Sequence, residues 1–330
     1  MLQTINNYIE QGYIRASKHP NLPITIYNYT QKATNEEKWD LITTTCRGLI
    51  LDASGQTVIQ GPKKFFNKEE KWSAKFDITK SIISEKLDGY YISIKLDTKY
   101  GLIISSRGAF CNKYTDAAEK LITDEIRHQI QPDISYFCEL CQNFEGDEGI
   151  IVTKHPIPKL ICWAMRDKWN GKEIIPTNDN CPFQVAHKMT FQEATEYLTN
   201  QVEGIVAFNP ITEERVKIKT QWFLNTHRII SDCTKKKVWE LNKAGGKVED
   251  LDIPNEFLIQ MKEWQSHLQS KVNQEYQKLL EQSNQYSNLS DKELGLSNLD
   301  LYTKSQIFNF RKDRKQAVID KIYLSYKEDF

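Results

Sequence analysis

Up to about Thr220, apolar residues recur at every second position in short runs; beyond it they recur at every third or fourth position. The first pattern is that of half-buried strands and the second that of amphipathic helices. Alternating runs predict strands over residues 24–29, 45–52, 57–60, 81–84, 91–96, 101–108, 135–140, 149–153, 159–165, 203–208 and 215–219. The opening residues, as far as His19, predict a short helix and a turn. Between the strands, Ala117, Ala118, Leu121, Ile122, Ile126 and Ile130 predict one helix from Thr115 to Ile130, stopped by Pro132. A second helix follows Thr190, whose partner Glu193 completes a capping-box pattern.

Past Gln221 no strand pattern remains. Phe257, Met261, Trp264, Leu268, Val272, Tyr276 and Leu279 form one apolar stripe, which predicts a long helix over residues 256–282. Polar residues 283–288 end it, and a last helix begins near Lys304. The expected fold is α+β: a mostly antiparallel-sheet domain over residues 1–243, a hinge at Ala244-Gly245-Gly246, and a smaller all-helical domain over residues 244–330.

Composition narrows the function classes. Lysine plus arginine equals aspartate plus glutamate, 44 each, so attraction to a polyanion must come from local clusters and not from a global field. One such cluster, Arg311, Lys312, Arg314 and Lys315, is most simply a solvated helix face. The 7 cysteines lack regular spacing, and Cys138-x-x-Cys141 has no second pair at zinc-ribbon distance. No charged-then-apolar leader opens the chain, and no apolar run nears the roughly 18 to 20 residues that span a bilayer. A reducing, cytoplasmic setting without membrane contact is expected, and a monomer.

Candidate chemistry gathers at strand ends. Arg47, Lys64, Lys86, Arg107, Lys217 and Lys219 lie there or on strands, with Asp88, Glu139 and Glu203 among them. Taken singly, each is ordinary surface charge. Together, converging cations suit a triphosphate of about four negative charges, while carboxylates suit a magnesium ion or sugar hydroxyls. Neither a P-loop nor a dinucleotide-binding glycine motif is present. A lysine at a tight turn, Lys86-Leu87-Asp88-Gly89, suggests instead that the amine itself attacks phosphorus.

In order, Lys86-Leu87-Asp88-Gly89, Ser106-Arg107-Gly108, Tyr136-Phe137-Cys138-Glu139, Glu203-Gly204-Ile205-Val206 and Lys217-Ile218-Lys219 resemble the motifs of the covalent lysine nucleotidyltransferases. That superfamily holds ligases and messenger-RNA capping enzymes. The upstream Tyr27-Asn28-Tyr29, Cys46-Arg47-Gly48 and Lys64-Phe65-Phe66-Asn67, with Trp222 and His227 downstream, look like the RNA ligase 1 family of the T-even bacteriophages. The resemblance covers about residues 20–235 and fades afterwards.

It implies that Lys86 takes AMP from ATP and passes it to an RNA 5′-phosphate, which a 3′-hydroxyl then attacks, as in the repair of broken RNA such as transfer RNA. By the same resemblance Arg47 and Lys64 would hold the β- and γ-phosphates with Tyr27 nearby, and Lys217 and Lys219 the α-phosphate, helping to keep Lys86 uncharged. Glu139 and Arg107 would lie near the ribose. Glu203 would lie near a magnesium or manganese ion, and Asp88 would assist sealing. Asp250 is preferred to Glu249 as a second metal carboxylate. A DNA ligase, a capping guanylyltransferase and a non-catalytic RNA-binding relative are the alternatives.

Overall fold

The structure is a computed structural model and describes residues 1–73, 75–144, 151–251, 253 and 255–327. Strands β1 (Ile14–Lys18), β2 (Ile24–Tyr29), β3 (Arg47–Asp52) and β4 (Thr57–Ile59) form an antiparallel sheet in that order. Further along come β5 (Phe66–Asn67), β6 (Ile82–Lys86), β7 (Tyr90–Asp97), β8 (Gly101–Ser106), β9 (Ile134–Cys141) and β10 (Lys159–Asp167). Next are β11 (Glu173–Ile174), β12 (Gln184–Val185), β13 (Lys188–Met189), β14 (Gly204–Asn209) and β15 (Glu214–Lys219). The second sheet has the order β11-β10-β9-β7-β8, with β12 beside β10; the third has the order β13-β6-β14-β15-β5. Among the described residues only the strand pairs β12 on β10 and β5 on β15 are parallel, so the mostly antiparallel expectation holds.

Alternation explains how β9 serves two environments. Tyr136, Cys138 and Leu140 enter the largest apolar cluster, beneath the helix Lys113–Leu121. On the other face, Phe137 joins a second cluster with Tyr91 and Ala164, and Glu139 follows it two residues on. The chain leaves the third sheet at Lys86 and enters the second at Tyr90, so Lys86 stands where two sheets meet.

The expected strands at 24–29, 45–52, 57–60, 81–84, 91–96, 101–108, 135–140, 159–165, 203–208 and 215–219 form, with ends shifted by a residue or two. Three expectations are corrected. The opening region holds a strand, β1, after its helix Leu2–Glu10, because β2 pairs with it along five residues, Ile14 to Lys18. Residues 115–130 form two helices, Lys113–Leu121 and Asp124–Gln129; Thr123 accepts from the Ile126 amide and starts the second afresh. Of the strand expected at 149–153, Gly149 and Ile150 lie outside the described residues, and Ile151 to Thr153 are not strand.

One feature of the core left no trace in the residue pattern. Lys95 is fully buried on β7, donating to the Val58 carbonyl at 2.8 Å and pairing with Asp97 at 2.9 Å. Lys168 closes the network through Asp97 and Asp133. Burial alone would raise the Asp97 carboxyl, but the Lys95 hydrogen bond and neighbouring positive charge bring it down to about 2. Because Val58 lies on β4, this ion cluster ties the first sheet to the second.

The chain divides into two compact units, the first ending at Asn225 and the second beginning at Thr226. In the second, the helix Asn255–Gln285 buries its predicted stripe against the surrounding helices: Leu268, Val272 and Leu279 pack with Trp239, Val318 and Ile322. No helix among the described residues is long and apolar enough to cross a membrane.

Candidate active site

The third sheet positions the site. In its register Gly204 on β14 lies opposite Lys86 on one neighbour and opposite Lys219 on the other, so the two lysines share a face across a gap. A regular strand would send Glu203 to the opposite face. Gly204 has φ +149°, outside what a side-chain-bearing residue adopts, and turns the preceding carboxylate back between the lysines. Glu203 is 5% exposed; its Oε2 accepts from Lys86 Nζ at 2.7 Å and its Oε1 from Lys219 Nζ at 2.9 Å. One buried carboxylate thus orients two ammonium groups, and each charge offsets the burial of the other.

Lys217, two residues before Lys219, shares its face. Burial, then the charges of Lys86, Lys64 and Lys219, push its ammonium down to about 8. Lys64 is also held low, first by burial, and lies over the rings of Trp39 (4.4 Å), Phe66 (4.5 Å) and Tyr29 (5.6 Å). The Arg47 guanidinium sits over the rings of Tyr91 at 4.9 Å and Phe65 at 5.4 Å. Its Nη1 is buried without a hydrogen-bond partner, an orphaned donor that suits a phosphate oxygen. Arg107 donates to the Tyr29 hydroxyl at 3.3 Å.

The carboxylates differ. Burial pushes Glu139 up to about 7, with Lys86 pulling the other way and Glu203 adding to the rise. Near neutrality Glu139 can therefore either donate or accept a hydrogen bond. Asp88 is raised by burial and braces the backbone: its Oδ2 accepts from the amides of Val152 and Thr153, both at 2.7 Å. Gly89 lets this turn press against β9, where a Cβ would lie 2.6 Å from the Leu140 carbonyl oxygen and 2.8 Å from Glu139 Cγ.

Most of the expected residues therefore converge, directly or through shared rings and charges: Arg47, Lys64, Lys86, Asp88, Arg107, Glu139, Glu203, Lys217 and Lys219. Tyr27 does not join them. A bulge after Tyr27 interrupts the pairing of β2 with β3, and its ring packs with Ile5, Ile14 and Leu49, while Tyr29 is the tyrosine at the cations. The aromatic walls, Trp39 and Tyr91 above all, escaped the sequence reading because nothing in their spacing marks them. Asp250 is exposed at the end of the turn Val248–Asp250 in the second unit. Arg311 is committed to Asp291 and to the carbonyls of Tyr286 and Leu289.

Fold and site together define an α+β protein of mostly antiparallel sheets with lysines and a buried carboxylate gathered on one face. The sequence profile of the RNA ligase family matches residues 45–276, most of the chain, and the chain belongs to that family. No curated protein matches it. Among solved structures, an archaeal ATP-dependent RNA ligase in one form has a TM-score of 0.52 at 13% identity, over 80% of this chain and 70% of that one. Its second form gives 0.49 at 12% identity, over 80% and 75%. An RNA ligase mutant of Naegleria gruberi with ATP and Mn gives 0.35 at 12% identity, over 45% and 52%. The first of these likenesses is one of fold.

Proposed function

We propose that this member of the RNA ligase family is ATP-dependent and joins RNA 3′-hydroxyl and 5′-phosphate ends through AMP carried on Lys86. The observation that carries the reading is the buried Glu203 carboxylate holding Lys86 and Lys219, beside the cationic Lys217. Lys86 Nζ attacks the α-phosphorus; a nitrogen–phosphorus bond forms as the bond to pyrophosphate breaks. The proton it loses has an acceptor in place at Glu203 Oε2.

Lys217 and Lys219 face the charge that develops on the α-phosphate, and the orphaned donor of Arg47, with Lys64, takes the departing phosphates. Glu139 and Arg107 serve the ribose. The AMP then moves to an RNA 5′-phosphate, breaking the nitrogen–phosphorus bond. A 3′-hydroxyl finally displaces AMP, and Asp88 steadies the site through both later steps.

A divalent metal, magnesium or manganese, fits this donor set only with phosphate oxygens as its main ligands. Among the described residues no three or more of His, Cys, Asp and Glu are arranged to hold one. Glu203 would supply a carboxylate, and the metal's chemistry would be to offset charge at the transferring phosphorus. We assign nucleotidyl transfer to residues 1–243 and RNA selection to residues 244–330. Repair of cleaved RNA, transfer RNA included, in the cytoplasm is the role we propose.

The test is incubation with labelled ATP or GTP, then a panel of 5′-phosphorylated RNAs, broken anticodon stem-loops and nicked DNA. ATP labelling and RNA sealing are expected. GTP labelling would indicate a capping enzyme, sealing of nicked DNA alone a DNA ligase, and no labelling a binding protein.

A further inference from the structure

A groove in the first unit is left unused by this chemistry. It has a volume of about 520 Å³ and lies between the segment from Gln60 to Phe66, the turn Lys71–Ser73 and the β14–β15 connection. That is room for a nucleotide unit. Its walls include Lys63, Lys64, Lys75, Phe65, Trp72 and Phe76. Trp72 is 43% exposed, and its inner face stacks on Phe66 at 5.8 Å between ring centroids. Lys71, exposed and paired with Glu37, lies over the same ring at 5.0 Å, so a base stacking on the indole takes its place.

Charge favours a polyanion. Lys63 and Lys75 are exposed and form no ion pair with any described residue, while Arg166 and Arg215 on the far wall are answered by Glu173 and Glu213. Glu214 is the remaining carboxylate, and it accepts from the Thr212 hydroxyl. The groove is also continuous with the site: Lys64 lines both, and Val216 in its wall precedes Lys217.

We propose that this groove binds the single-stranded RNA substrate, one base stacking on Trp72 and the adjoining phosphates meeting Lys63 and Lys75. The inference rests on the ligase reading and adds to it where the RNA lies. A single strand is favoured because its bases offer a free face to an aromatic ring, which a duplex does not.

The experiment is titration of the full chain with a short 5′-phosphorylated single-stranded RNA, read by tryptophan emission and by filter binding at two salt concentrations. The native protein is expected to bind with quenching. Lys63→Ala with Lys75→Ala should weaken binding about tenfold or more and lower the salt slope by about 1.4. Trp72→Ala should weaken it roughly 5- to 100-fold. Trp72→Phe, which keeps a ring against Phe66, should retain most of the affinity and lose the quenching.

The paired change Lys18→Ala with Lys120→Ala should bind as the native protein does. Unchanged affinity in both the lysine pair and Trp72→Ala would overturn the proposal. So would equal binding of duplex RNA, or equal quenching of Trp72 by ATP alone. A native protein that takes AMP and seals RNA while all groove variants bind normally would sink the groove alone. Groove-dependent RNA binding without AMP transfer would sink the ligase reading and leave the groove standing.

Discussion

Gly204→Ala is expected to reduce AMP attachment at least about 100-fold, the scale on which a displacement of about 1 Å at a reacting group acts. A Cβ at this position would lie 2.0 Å from the Ile218 carbonyl oxygen and 2.9 Å from Lys219 Cα, both backbone atoms that cannot swing aside. The φ of +149° adds a conformational penalty for any side chain. Relief requires β15 to move away from β14, and that movement carries Lys217 and Lys219 away from Lys86 and frees Glu203 from holding both amines. The loss should appear in the single-turnover rate of AMP transfer from ATP. An alanine variant with native rates would mean that the Lys86–Glu203–Lys219 arrangement is dispensable.

Lys217→Met is expected to separate activity from stability. The transfer rate should fall roughly 100- to 1,000-fold, the usual effect of losing one preorganised group that faces developing charge. Stability at pH 7 should rise. The Lys217 ammonium is pushed from its ordinary 10.5 down to about 8, chiefly by burial and then by Lys86 and Lys64. Between those values the unfolded chain binds the extra proton, so native stability climbs as pH rises through the window.

Below about 8 both states are protonated and the fold carries the full penalty, on the order of 1–3 kcal/mol. Methionine removes it, so the variant should melt a few degrees higher at pH 7, with the advantage shrinking towards pH 10.5. The same titration should shape activity. The native rate, divided by that of Lys217→Arg, whose charge does not titrate, should fall as pH rises past about 8. A flat ratio, or a methionine variant that melts lower at pH 7, would show that Lys217 is not the strained cation described.

Much of this site was legible because strand alternation and strand ends carry position directly. Glu139 followed from its neighbours on β9, and Lys217 and Lys219 from their spacing on β15. What could not be read depends on departures from regularity. The back-turn at Gly204 places Glu203 on the lysine face, against the alternation. Tyr27 lies in the core and Tyr29 at the cations, although alternation gives both to one face of β2. Lys95 reads as a polar strand position, yet long-range partners, Asp133 and Val58, allow it to be fully buried. The division of the helix at Thr123 turned on a cap that competed with a continuous apolar stripe and won.

One lysine is expected to bond covalently to the nucleotide. Native protein incubated with ATP and a divalent metal, digested and sequenced by mass spectrometry, should carry a single AMP on Lys86, and Lys86→Ala should carry none while melting as the native protein does. AMP found on Lys217, Lys219 or any other residue, or retained by Lys86→Ala, would contradict it.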